Sequence, residues 1–236
     1  MSGHSKWSTI KRQKEANDQA RGKVFSKLSQ AISAAVKMGG GDDPETNYKL
    51  RVAIDAAKDA NMPKENVERA ISKGSGDGAQ LDEVMYEGFA PGGVGLLISA
   101  ITDNRNRTAA EIKNILEKAG GSMGGPGSVS FGFRQMGYFI VSKGEKSEEL
   151  ALKLIESGIE DMREKDHVFG VYTKPEDLMK ISKKLEADGV EVEGINLVQV
   201  PQNPMVISEK DLGKIQALCH TLNEHDDVQQ VFKNIA

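Results

Sequence analysis

From Phe25 onward the chain repeats apolar positions at Phe25, Leu28, Ile32 and Val36, spacings that place one apolar stripe along a helix. The preceding residues 5–24 carry only Trp7, Ile10, Ala16, Ala20 and Val24 among polar neighbours. That segment has little to pack with, so it reads as either a solvated helical extension or a mobile arm. Gly39, Gly40 and Gly41 end the first helix. Asp43 is expected to cap a second helix, with Pro44 at its first position and a face of Leu50, Ala53, Ile54, Ala57 and Ala60. Pro63 opens a third helix with Val67, Ala70 and Ile71 on one side, and Gly74 is expected to stop it. Three short helices with brief connections predict a small all-α domain.

Residues 75–80 are a linker of turn-forming residues, after which the period of the pattern changes. Residues 83–89 and 94–102 read as strands of a hairpin turning at Ala90-Pro91-Gly92-Gly93. A capping box, Thr108 with Glu111, opens a helix whose inward side is Ile112, Ile115, Leu116 and Ala119. A glycine-rich turn then leads to an expected strand at 128–133. That β-β-α-β run leaves a sheet with a single covering helix. Residues 138–200 alternate strand and helix as β-α-β-β-α-β, the ferredoxin-like split βαβ order. After Pro201 and Pro204, Ser208 caps a last helix (Leu212, Ile215, Leu218, Leu222), and a strand follows at 228–232. This tail supplies the helix and strand that the middle unit lacks. The fold class expected is therefore multidomain α plus α/β: an N-terminal three-helix domain (1–75), then two ferredoxin-like α+β domains. One of these, residues 136–204, is inserted into the other, made of 80–135 and 205–236.

Charge divides the chain unevenly. Residues 1–37 hold eight Lys and Arg against two acids, a local net of +6 in a chain of net −4, so the remainder sums to −10. A basic arm on an acidic body points to a polyanionic partner, with nucleic acid first. The candidate contacts are Lys6, Trp7, Lys11, Arg12, Lys14, Arg21, Lys23 and Lys27: the cations for phosphates, and Trp7 for stacking on a base. The bland alternative is a solvated helix face. No base-reading signature accompanies the arm, so the residues alone do not support sequence-specific binding. A second candidate is the turn from Thr102 to Thr108, where Arg105, Arg107 and Thr108 at a helix start could hold an anion or an acidic partner loop. Equally, Asp103 could pair with the arginines and stiffen the turn.

Other chemistry finds little footing. The glycine-rich loops match neither GxxxxGK[ST] nor GxGxxG and read as tight turns. Cys219 and His220 are helix neighbours facing different directions, and His4, His167, His220 and His225 are scattered. No catalytic site, metal site, cofactor or small-molecule substrate is expected. The single cysteine excludes an internal disulfide and fits a reducing cytosol. No apolar run nears the roughly 20 residues that span a bilayer, and the basic start lacks the apolar stretch of a signal peptide. A cytoplasmic protein without a membrane partner is expected.

Several separated motifs carry a family resemblance. Gly3-His4-Ser5-Lys6-Trp7, Asn61-Met62-Pro63-Lys64, Glu68-Arg69-Ala70-Ile71, Tyr86-Glu87-Gly88-Phe89, Pro91-Gly92-Gly93, the Thr102 to Thr108 run, Gly120-Gly121 and Gly127-Ser128-Val129 resemble the YebC/PmpR family. That family includes the mitochondrial translational activator of cytochrome c oxidase subunit I. Departures are slight: Phe232-Lys233 stands where Tyr-His is common, and the linker after Lys73 is short. The resemblance implies a helical domain followed by two α/β domains, one inserted in the other. It also implies a non-enzymatic regulator of gene expression. Bacterial members are described as DNA-binding transcriptional regulators, whereas others are linked to the ribosome and to translation of proline-rich stretches. The expectation is thus a nucleic-acid-binding regulator, transcription first, with a ribosome-associated factor contacting ribosomal RNA as the alternative.

Overall fold

The structure, a computed structural model, describes residues 3–76, 81–144 and 147–236, with side chains from Ala20 onward. The chain forms two compact units, Met1–Gly78 and Ala79–Ala236. Among the described residues there are seven α-helices and two four-stranded antiparallel sheets, and no helix is long and apolar enough to cross a membrane. A helical unit followed by β-containing units is the fold class expected.

In the first unit, α1 (Gly3–Met38) is one continuous helix, so the N-terminal segment is helical extension rather than a separate arm. Its later half enters a core: Ile32, Ala35 and Val36 pack with Leu50, Ala53 and Ala57 of α2 (Tyr48–Asp59) and Ala70 of α3 (Lys64–Ser75). Two boundaries differ from expectation. α2 starts at Tyr48 with Asn47, not Asp43, as its N-cap. Asp43 instead closes a preceding turn, its carboxylate accepting from Glu45 N and its carbonyl from Asn47 N. Asn47 is almost wholly buried and does more than cap. Its oxygen accepts from Leu50 N at 3.1 Å, while its amide donates to Ala35 O and Gly41 O at 2.8 and 2.7 Å. It thereby ties the last turn of α1, where Ala35 O also accepts from Gly39 N, to the first turn of α2. Gly74 does not stop α3; the helix runs through it. A Cβ there would meet Val36 and the Ser33 carbonyl, so glycine lets α3 lie close on α1. Ser33 Oγ completes that contact by donating to Ala70 O at 2.8 Å.

The second unit opens with the hairpin β1 (Asp82–Ala90) and β2 (Val94–Thr102), joined by a turn in which Gly92 and Gly93 take positive φ. α4 (Arg105–Lys118) follows, then the two-residue β3 (Ser122–Met123), which pairs with Gly88 and Phe89. The expected strand at 128–133 does not form. The backbone N–H groups of Gly127, Val129 and Ser130, which a strand would spend on a neighbour, converge instead on the Glu87 carboxylate, and a 3-10 turn occupies Ser130–Gly132.

Phe133 begins the long β4 (Phe133–Ser142). With α5 (Ser147–Glu156), β5 (Asp161–Lys165), β6 (Val168–Thr173), α6 (Leu178–Ala187) and β7 (Val192–Pro201) it builds a sheet ordered β5-β6-β4-β7, the arrangement of the split βαβ motif. Leu154 of α5 and Leu178, Ile181 and Leu185 of α6 are buried, as are Phe139, Val141 and Val171 of the strands. The chain then returns to the first sheet through α7 (Glu209–Asn223), capped by Ser208, and β8 (Val228–Lys233), which pairs antiparallel with β2. The first sheet reads β3-β1-β2-β8. Its strand β2 is covered on both sides. Leu96, Ile98 and Ala100 face Ile112 and Leu116 of α4 and Ile215, Leu218 and Leu222 of α7, while Leu97 packs with Val129 and Phe133.

Candidate nucleic-acid interface

At 36 residues α1 is about 54 Å long at 1.5 Å per residue, and among its described side chains the core it shares with α2 and α3 begins at Phe25. Every residue from Ala20 to Val24 is exposed, Arg21 and Lys23 among them, and Lys27 is half-buried. The Arg21 guanidinium lies 5.3 Å from the Phe25 ring centre, a cation–π distance, and one of its N–H groups reaches Asn61 O at 3.5 Å. Phe25 thus steadies the first described cation at the edge of the core. Lys6, Trp7, Lys11, Arg12 and Lys14 belong to α1 by backbone, but their side chains lie outside the described residues. The first unit holds 14 Lys and Arg against 10 acids, net +4; the second holds 17 against 25, net −8. Positive charge is therefore a property of the unit that carries α1.

The turn from Thr102 to Thr108 has a different character. The helix begins at Arg105 with Asn104 as N-cap, its oxygen accepting from Arg107 N at 3.1 Å, so the Thr108–Glu111 capping box is not used. Thr108 is instead fully buried one turn into α4. Its hydroxyl lies 2.8 Å from Thr102 Oγ1 and donates to Asp227 Oδ2 at 2.6 Å. Arg107 contacts Asp227 at 2.8 Å and Asp103 at 2.9 Å, and Arg105 contacts Asp82 at 2.8 Å. Each arginine therefore already has a carboxylate partner, and the turn is tied to β1 and to the residues just before β8. Burial by itself would raise the Asp227 carboxyl; the Thr108 hydroxyl and the Arg107 guanidinium outweigh it and hold the group below its ordinary value.

Glu111, the other half of the unused box, reaches His225 Nε2 at 2.8 Å, and with Asp227 these side chains offer ligand atoms within 4.8 Å of one another. The hydrogen bonds explain the grouping without an ion. Asp227 N donates to His225 Nδ1 at 3.1 Å, which places the imidazole proton on Nε2, where it meets Glu111. A metal on Nε2 would have to drive that proton onto a nitrogen already facing an N–H.

Glu87 is the feature that sequence reasoning missed. It is 7% exposed in β1 and accepts from Gly127 N at 2.7 Å, Val129 N at 2.6 Å, Ser130 N at 2.9 Å and Ser130 Oγ at 3.1 Å. Burial opposes the charge, but these donors prevail and lower the carboxyl below its ordinary value. The only local signal was an acid between Tyr86 and Gly88 in the buried second half of the strand.

Comparison with known proteins agrees across the chain. The family models described as "TACO1/YebC protein N-terminal domain" and "TACO1/YebC second and third domain" match residues 5–77 and 81–235. A "probable transcriptional regulatory protein" of Desulfatibacillum aliphaticivorans is 46% identical over 235 residues, covering 98% of this chain and 95% of the relative. A relative of the same description from Thermus thermophilus is 45% identical over 238 residues, covering 100% and 96%. The crystal structure of a conserved hypothetical protein from Aquifex aeolicus superposes with a TM-score of 0.85 at 45% identity, covering 92% of this chain and 90% of that one.

Proposed function

The chain belongs to the TACO1/YebC family, and on that premise we propose that it is a non-enzymatic, DNA-contacting regulator of transcription acting in the cytoplasm. The observation that carries this reading is α1: a 36-residue helix rich in Lys and Arg, in which the described residues Ala20 to Val24 are exposed and the core begins, among the described side chains, at Phe25. The printed names of the relatives, probable transcriptional regulatory proteins, support the direction. DNA contact through Lys6, Lys11, Arg12, Lys14, Arg21, Lys23 and Lys27 is the physical form proposed for it. A helix that presents cations to phosphates binds through counterion release and needs no base-edge contacts. Specificity for a gene would then come from elsewhere on the protein or from DNA shape.

Changing Lys11, Arg12 and Lys14 together to Glu tests the reading. Binding of a fluorescein-labelled promoter duplex, followed by anisotropy, should fall by at least tenfold while the circular dichroism of the folded chain is retained. Equal binding by parent and variant would remove α1 from the mechanism. Binding to ribosomes in a sucrose gradient with no affinity for duplex DNA would move the function to translation.

A further inference from the structure

We infer that the turn at Phe131 is a second nucleic-acid contact, on the second unit, where the ring stacks on an unpaired base; this rests on the nucleic-acid reading above. Phe131 is 79% exposed, whereas Phe133, Phe139 and Phe169 are all at or below 7%. An aromatic ring left in water is informative when its backbone is rigid, because the ordering that binding would require is already in place. Here both flanks are fixed. Glu87 gathers the N–H groups of Gly127, Val129 and Ser130 on one side. On the other, Gly132 O accepts from Gln202 N at 2.9 Å, and Phe133 O accepts from Gln202 Nε2 at 3.4 Å. Val129 and Phe133, two residues to either side, are anchored in a buried cluster with Leu97.

The charge around the turn selects the partner. The second unit is net −8, but the segments that meet here contain no acid at all. Residues 118–144 are the longest stretch of the chain without Asp or Glu. Residues 194–208, which bring Gln202 to the turn, are likewise free of acids. So are 88–102 and 228–236, joined where Asn234 Oδ1 accepts from Gly95 N at 2.7 Å beside Val129. Lys118, Arg134 and Lys233 lie within these segments, and Arg134, three residues beyond Phe131, is paired with Glu160 at 3.0 Å. Glu87, the carboxylate that reaches in, has its charge taken up by four donors. These segments add no carboxylate of their own to repel a phosphate backbone, and the neighbouring Glu160 is matched by Arg134. With an exposed ring to stack on, the fit is to single-stranded nucleic acid or the unpaired bases of a loop.

The test uses the full chain with Phe131→Ala and Phe131→Trp, titrated against a fluorescein-labelled single strand of mixed sequence and against its duplex. Loss of one stacked base weakens binding about 5- to 150-fold. The expected result is that loss for Phe131→Ala on the single strand, retention by Phe131→Trp, and unchanged duplex affinity for both. Single-strand binding by Phe131→Ala equal to that of the parent overturns the inference and leaves the ring to a protein partner. Equal weakening on strand and duplex overturns it as well. A parent that binds neither probe brings down the nucleic-acid reading itself, whereas duplex binding with an indifferent Phe131 removes only the stacking site.

Discussion

Thr108 Oγ1 donates a 2.6 Å hydrogen bond to Asp227, a residue 119 positions further along the chain, and so joins the start of α4 to the turn that leads into β8. The contact sits between the two parts of the first sheet that the chain builds earliest and last. Thr108→Val removes the hydroxyl at constant shape and leaves a buried carboxylate short of one donor. A loss of about 1–3 kcal/mol is expected. It should appear in urea unfolding as a lower midpoint with an unchanged slope. A variant as stable as the parent would show that Arg107 and Thr102 suffice to hold Asp227.

Glu87 gives a stability that depends on pH. Its carboxyl lies below the 4.5 of an unperturbed group in the folded chain, so the folded state favours the ionised form. The sign follows from linkage: the contribution is present above the unfolded value and is lost as pH falls through the folded one. Glu87→Gln should therefore be clearly less stable than the parent at neutral pH. The gap between the two should close as pH drops below about 4.5. A gap that stays constant from neutral to acid pH would mean that the carboxylate charge does not hold the Gly127–Ser130 turn.

Gly74 offers a test with opposing terms. Alanine is favoured over glycine inside a helix by about 1 kcal/mol. At this position a Cβ would press on Val36 and on the Ser33 carbonyl. Overpacking of that kind costs about 1–3 kcal/mol, so Gly74→Ala is expected to lower the thermal midpoint despite the better propensity. A raised midpoint would show that α3 can move away from α1 freely.

These residues also mark what could be read from sequence. The stripe Phe25, Leu28, Ile32, Val36 and the β-α-β-β-α-β run were legible because helix and strand periods are local properties of the chain. Several departures trace to partners outside the local pattern. Residues 128–133 carry strand-like apolar positions, but Glu87, some 40 positions earlier, claims the N–H groups a strand needs. Thr108 looks like a cap until Asp227 arrives from the far end, and Asn47 outcompetes Asp43 because it also reaches Ala35 and Gly41. In the candidate site the basic character of α1 was visible in composition. That Arg105 and Arg107 are matched by Asp82 and Asp227 was not, since no spacing rule connects those positions.

The salt dependence of duplex binding tests the central claim most directly. If α1 neutralises phosphates, the logarithm of the association constant falls linearly with the logarithm of salt concentration, with a slope of about −0.9 per phosphate contacted. Several contacts from the basic residues of α1 predict a slope of about −4 or steeper for the parent. Replacing Lys11, Arg12 and Lys14 with Glu should make the slope shallower by about 3 units, equally for specific and random duplexes. A slope near zero, or one that the triple substitution leaves untouched, would contradict the assignment of α1 as the nucleic-acid interface.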